Sequence, residues 1–332
     1  MLVKSKLWLT FLAGMFATHV VIRADALPVS ISFLDSDEAL QQTTSFLASK
    51  GIDTNSVDWF RRAVKWHNKT PLGFDLGGFP KSSDGFYTFQ SMSNLTDSLP
   101  QPLIYAKHES DMNCFDNVIL LVGSSIQTKL QPDALAGPFL VEIKVPTTSF
   151  VVNMAVEETA RDSFNAIYPP SARERTKLVF GGPREDGHMC LTAAFDSYCM
   201  LPHKTTGNDL GISLLKVLQA QWKQEGIIFP SNMEVVICES AVIVPPDVAS
   251  NTPFYAPFGS ATHAGLMFKN HGGFVYIEKA GFDGPYVRLD FKDKTDLLLW
   301  LKTLVKPTTA ERDHLFAIFN GSQVYSLDEI KP

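Results

Sequence analysis

The sequence predicts an α+β fold, with helices in the first part of the chain and an antiparallel sheet in the second. Residues 36–67 hold two stretches whose apolar side chains recur at helical spacing. From residue 233 onward, four runs with the length and composition of strands follow one another closely. Such segregation along the chain is typical of α+β domains. No composition shift or linker divides the chain, so we predict one domain over residues 27–332.

The first 26 residues predict a cleavable secretory signal peptide. Lys4 and Lys6 precede a largely apolar stretch over residues 7–22, and Ala24-Asp25-Ala26 supplies a small-x-small cleavage site. The alternative is a membrane anchor, but an anchor needs about 20 unbroken apolar residues and His19 interrupts this stretch. We therefore expect export, with a secreted or periplasmic location and no integral membrane segment after cleavage.

Composition and charge argue against several classes of protein. The chain is 45% hydrophobic and 19% charged, which is typical of a globular protein with a substantial core. Its net charge of −6 provides no basic surface for nucleic acid. The cysteines lack the spacing of metal ligands, and we predict no metal or cofactor. The four cysteines are Cys114, Cys190, Cys199 and Cys238. They allow two disulfides, or one disulfide and two free thiols. Cys190 and Cys199 are near enough in sequence to pair.

The amino-terminal helical region consists of two predicted helices. The first covers residues 36–47 and ends before Gly51, and the second covers residues 55–67. Its apolar side is predicted to hold Val57, Phe60, Val64 and, less clearly, Trp66. Glycine and proline predict loops over residues 68–110, and the run at 118–122 is apolar on every side, which predicts a buried helix or strand.

The second part of the chain is predicted to begin with a strand at 141–152 and a helix at 155–167. Residues 209–225 form a strongly amphipathic helix that Gly226 ends. The remaining predicted elements are strands at 233–244, 263–269, 273–279 and 286–291, and helices at 295–305 and 309–319.

Cys114 is the first candidate for chemistry, because it stands directly before the apolar run. Asn113 or Asp111 is suited to cap a helix whose first turn holds this cysteine. The unpaired N–H groups and the positive end of the helix dipole favour a thiolate, which is the nucleophilic form of cysteine. The alternative is a half-buried structural thiol or one half of a disulfide.

The second candidate is a pair of residues on neighbouring strands, His263 and Glu278. The strands flank residues 270–273, Asn-His-Gly-Gly, which predict a hairpin turn. A turn that is symmetric about the bond between Asn270 and His271 places His263 directly opposite Glu278, whereas a slip of two residues makes them diagonal neighbours on one face. A carboxylate beside an imidazole fixes its tautomer and stabilises its protonated form. The alternative is an ordinary His–Glu pair in an edge hairpin.

The order of a cysteine on a buried helix, a histidine on a strand and a polar residue on the next strand resembles papain-like enzymes. It is similar in particular to their bacterial cell-wall branch, which carries His-x-Gly at this strand. The chain also resembles an uncharacterised family of exported bacterial proteins over residues 36–320. The motifs that carry this resemblance are Asn113-Cys114, Gly226-Ile227-Ile228-Phe229, His263-Ala264-Gly265 and Glu278-Lys279, followed by Gly284-Pro285-Tyr286.

The resemblance implies a papain-like fold, with a buried helix packed on an antiparallel sheet, and an exported cysteine hydrolase. In such an enzyme, Cys114 attacks an amide or ester carbonyl, His263 acts as base and then as acid, and Glu278 orients His263. A peptide or cell-wall substrate follows from the resemblance alone. Phe115-Asp116 depart from the pattern, which has a basic residue after the cysteine.

Two other functions stay open at this stage. One is a non-enzymatic exported binding protein that keeps the fold with an inactive site, and a disulfide-bonded or buried Cys114 would indicate it. The other is a transglutaminase-like acyl transferase, which shares the Cys-His-carboxylate order and differs only in using an amine in place of water as the acceptor.

Overall fold

A computed structural model describes residues 28–69, 76, 79–99, 114–122, 125, 127, 199–200, 209–242, 258–280, 284–305 and 313–331. The predicted signal peptide, the strand predicted at 141–152 and the helix predicted at 155–167 lie outside the described residues. Among the helices in the described ranges, none is both long enough and apolar enough to cross a membrane.

The described ranges contain six helices. Their bounds are α1 Asp37–Ser49, α2 Thr54–His67, α3 Met92–Ser98, α4 Cys114–Val122, α5 Leu210–Glu225 and α6 Lys294–Leu304.

The strands in these ranges form one antiparallel sheet. Their bounds are β1 Val29–Ser32, β2 Tyr87–Phe89, β3 Cys199–Met200, β4 Glu234–Val242, β5 Phe258–Asn270, β6 Gly273–Lys279, β7 Tyr286–Phe291, β8 Asp313–Phe319 and β9 Gln323–Ser326. The strand order is β2-β1-β7-β6-β5-β4-β8-β9, and β3 pairs with β5. The predicted α+β class and antiparallel sheet are confirmed.

The helix ends follow the local signals in the sequence. Ser36 caps α1 by accepting a hydrogen bond from the Ala39 backbone N–H, and Asp53 caps α2 in the same way. Gly226 ends α5 in the left-handed conformation, with φ of +66°. Trp66 departs from the prediction, because its side chain is 42% exposed and does not join the apolar side of α2.

One prediction about the elements was wrong. The helix predicted at 309–319 is the strand β8, which pairs with β4 on one side and β9 on the other. Its apolar run at 315–319 is buried throughout, and such a run fits a strand as well as a helix until its partners are known. The segment predicted to be rich in loops at 68–110 also contains two short elements, the strand β2 and the helix α3.

Both faces of the sheet are covered, which explains the long apolar strands. Alternate residues of β4 belong to two separate core clusters, with Val235 and Ile237 in one and Val236 and Cys238 in the other. The first cluster contains residues of α1, α2, α4 and α5, and the second contains residues of α3 and α6. The helix α4 contacts β5 and β6, so it lies against the centre of the sheet.

Candidate active site

Cys114 is the first residue of α4, as the sequence predicts. Val118, Leu121 and Val122 of the same helix are fully buried and hold the helix in the core. Cys114 and Cys238 are both free thiols, which excludes the arrangement with two disulfides. The pairing of Cys190 with Cys199 is not tested, because Cys190 lies outside the described residues.

Of the two registers that the sequence leaves open for the β5–β6 hairpin, the structure has the one that is slipped by two residues. Asn270 pairs with Gly273, so the turn consists of His271 and Gly272, and Gly272 supplies the positive φ (+80°) that a two-residue hairpin turn requires. Glu278 therefore lies opposite Gly265, and His263 is its diagonal neighbour on the same face.

His263 and Glu278 are nevertheless in direct contact. Nε2 of His263 lies 2.6 Å from Oε2 of Glu278, and both side chains are buried. Across the sheet, His263 is paired with Cys238 of β4. The imidazole therefore stands at the centre of a buried polar cluster, formed by residues of β4, β5 and β6.

The second oxygen of Glu278 has its own partner, which the sequence analysis missed. Nε1 of Trp300, on α6, donates a hydrogen bond of 2.7 Å to Oε1 of Glu278. Trp300 is fully buried. In the sequence it looks like one more apolar residue of an amphipathic helix, and nothing in its spacing from Glu278 indicates a contact between them.

Cys114 is close enough to His263 for the two side chains to interact electrostatically. Because Nε2 of the ring faces Glu278, Nδ1 is the nitrogen that remains for the thiol. Burial by itself lowers the pKa of His263. The negative charges of Cys114 and Glu278, together with hydrogen bonds to both, outweigh that effect and raise the pKa from 6.5 to about 10. The surroundings of the ring thus favour the protonated imidazole.

Two further side chains complete the surroundings of the cluster. Burial and the nearby negative charges of Glu278 and Cys114 raise the pKa of Cys238 well above its usual value, which keeps this second thiol protonated. The ring of Tyr276 lies over Gly265, where a Cβ atom would overlap it. The Tyr276 hydroxyl is near Glu278, but it does not meet the geometry of a hydrogen bond.

The cluster is shielded from solvent. Cys114 is 4% exposed, His263 is 3% exposed and Glu278 is fully buried. Among the described residues, no group of three or more His, Cys, Asp or Glu side chains is arranged to hold a metal ion. The arrangement therefore suits proton transfer between a thiol and an imidazole, and access to the thiol is restricted.

The raised pKa of His263 gives a direct test of this electrostatic arrangement. In a ¹H–¹³C NMR titration, we expect the ring of His263 to stay protonated beyond pH 8, because its pKa is about 10. The Cys114→Ala variant removes one of the two side chains that raise this pKa, so the pKa of His263 should fall. An imidazole that titrates near its usual 6.5 in both proteins would contradict the arrangement.

The comparisons with known proteins identify one domain family. Residues 194–320 match the Domain of unknown function DUF4300. The matched segment includes His263, Glu278 and Trp300, whereas Cys114 lies outside it. Neither the curated proteins nor the solved structures that were compared contain a match to the chain. Export and the papain-like pattern stay predictions.

Proposed function

We propose that the protein is an exported cysteine hydrolase of papain-like fold, with Cys114 as its nucleophile. One observation carries the proposal: a single buried imidazole lies between a free thiol at the start of a buried helix and a carboxylate on the neighbouring strand. A nucleophile, a base within reach and a third group that orients the base are the parts that thiol catalysis requires.

The proposed reaction cleaves an amide bond in two steps. The Cys114 thiolate attacks the carbonyl carbon, and protonated His263 gives its proton to the leaving amine as the C–N bond breaks. The resulting thioester is then attacked by water, with neutral His263 accepting the proton of the water. The C–S bond breaks, the carboxylic acid product leaves, and Cys114 is again a thiolate beside protonated His263. The first backbone N–H groups of α4 are suited to stabilise the oxyanion, because helix α4 does not use them in its own hydrogen bonds.

Glu278 supports both steps by holding His263. Its Oε2 atom lies 2.6 Å from Nε2 of the ring, which directs Nδ1 to the thiol and stabilises the positive charge of the imidazolium. The peptide or peptidoglycan-stem class of substrate is supported by the sequence resemblance, and export is supported by the pattern of residues 1–26.

A second candidate function is favoured by the burial of the thiol. With Cys114 only 4% exposed, a substrate reaches the sulfur only if the site opens. A protein in which the site stays closed would be a non-enzymatic exported protein, in which the Cys-His-Glu cluster stabilises the fold and a different surface binds the partner. The absence of a disulfide at Cys114 argues in the opposite direction, because it leaves the sulfur chemically available.

Reaction with a small activated ester separates the two functions. We expect p-nitrophenyl acetate to acetylate Cys114, as detected by mass spectrometry, and the acetyl group to be released so that p-nitrophenol forms over many turnovers. The Cys114→Ala variant should show neither effect, and Cys238 should stay unmodified because its thiol is fully buried and protonated. Acetylation of Cys114 without release, or no acetylation, would contradict a hydrolase and favour the non-enzymatic protein.

A further inference from the structure

We infer that Trp300 is a positioning residue of the proposed catalytic site, acting on His263 through the carboxylate of Glu278. The catalytic role of Trp300 rests on the proposed function. The contacts that carry it are shown by the structure: His263 and Trp300 each lie within 2.7 Å of a different oxygen of the same buried carboxylate.

The two contacts fix the carboxylate in space. Oε1 accepts from the Trp300 indole at 2.7 Å, and Oε2 lies 2.6 Å from His263, so rotation of the carboxylate would break both hydrogen bonds. Glu278 is on β6 and Trp300 is on α6, and both are fully buried. The C-terminal helix is thereby connected to the imidazole by two consecutive hydrogen bonds.

The chemical nature of the indole gives the contact its direction. An indole N–H donates a hydrogen bond and accepts none, so Oε1 of Glu278 must act as an acceptor. This favours the ionised carboxylate over a form protonated at Oε1. With Glu278 ionised, Nε2 of His263 carries a proton and Nδ1 is directed to Cys114. Through Glu278, Trp300 therefore supports a proton on Nε2, which leaves Nδ1 of the neutral ring as the proton acceptor in the proposed reaction.

The position of the indole is itself held by α6. Asp293 and Asp296 form a capping box at the start of this helix, which fixes its first turn. Leu297 and Leu301, on either side of Trp300 in sequence, are fully buried. A helix fixed in this way has little freedom to move the indole N–H away from Glu278.

Tyr276 offers a matched comparison. It is also a fully buried aromatic residue beside Glu278, but its hydroxyl does not meet hydrogen-bond geometry with the carboxylate. The Trp300→Phe variant removes a hydrogen-bond donor to Glu278, whereas the Tyr276→Phe variant removes a polar atom next to it. If the donor matters, only the first substitution should affect His263.

The experiment is an NMR titration of the His263 ring in the two variants, together with the rate at which iodoacetamide alkylates Cys114 at pH 6. In Trp300→Phe, we expect the pKa of His263 to fall by about 1 and the alkylation to slow by about 10-fold, because the carboxylate holds its charge and orientation less well. In Tyr276→Phe, both quantities should stay near their wild-type values.

A titration of His263 that is the same in Trp300→Phe and in the wild type would overturn the inference. If Trp300→Phe does not fold, the wild-type protein still tests the inference. The indole N–H signal of Trp300 should lie downfield of the signals of the other tryptophans and should shift again as His263 loses its proton. An unshifted indole signal overturns the inference. Since none of these readouts requires turnover, a failure of the ester assay would contradict the hydrolase and leave the effect of Trp300 on His263 standing.

Discussion

In the His263→Ala variant, iodoacetamide is expected to alkylate Cys114 about 100-fold more slowly at pH 6 than in the wild-type protein. An isolated thiol has a pKa of about 8.5, so only about 0.3% of it is thiolate at this pH. Beside a protonated imidazole, the thiolate is favoured by the opposite charge. Because the pKa of His263 is about 10, this cation is present throughout the range from pH 5 to pH 9. Removing the imidazolium of His263 therefore removes most of the reactive thiolate of Cys114.

The full pH profile gives the sharper comparison. The wild-type rate should change little between pH 6 and pH 8, whereas the rate in His263→Ala should rise with pH as it does for an ordinary thiol. His314→Ala is a matched control, because His314 also contacts a carboxylate, at 3.3 Å from Asp328, but lies on the surface. Equal profiles for wild type and His263→Ala would show that Cys114 is not activated by His263, and would remove the basis of the hydrolase proposal.

The parts of the fold that the sequence predicts are those set by short-range signals. Ser36 and Gly226 mark helix ends through their own hydrogen bonding and backbone freedom, so α1 and α5 can be located without knowledge of the rest of the chain. The strands from β4 to β7 are also predicted, because each has a suitable length and is bounded by turn residues.

The elements that the sequence does not predict depend on partners far away in the chain. The strand β1 is four residues long, and it is defined by its pairing with β2 and β7. Residues 315–319 of β8 are buried on both faces, and this apolar run has no period that distinguishes a strand from a helix. In both cases tertiary pairing decides the conformation.

The residues of the candidate site also differ in whether the sequence predicts them. Cys114 can be picked out because it directly precedes an apolar run, and His263 because it lies in a run with the composition of a strand. Glu278 can be picked out because hairpin pairing brings it near His263. The sequence leaves two registers open, because the choice between the two turns depends on which residue takes the positive φ, here Gly272. Trp300 could not be found, because its contact with Glu278 connects a helix to a strand through tertiary packing alone.

Gly265→Ala is expected to destabilise the protein by about 3 kcal/mol and to disturb the site at the same time. A Cβ atom at residue 265 would overlap the hydroxyl and Cζ of Tyr276 and would lie 2.6 Å from its Cε2 atom. Tyr276 is fully buried in the core cluster that also contains Trp300 and Cys238, so its ring has little room to move away. Displacement of the ring would press on Glu278, because the Tyr276 hydroxyl lies next to that carboxylate.

A double-mutant cycle with Tyr276→Leu tests this explanation, with stability measured by urea denaturation. If the overlap causes the loss, Gly265→Ala should cost much less in the Tyr276→Leu background than in the wild type, giving a coupling free energy of about 2 kcal/mol. Additive effects would mean that the glycine is needed for another reason, such as the backbone of β5. A large coupling free energy would explain the glycine of the His-x-Gly motif by packing, because a residue without a Cβ atom makes room for the ring of Tyr276.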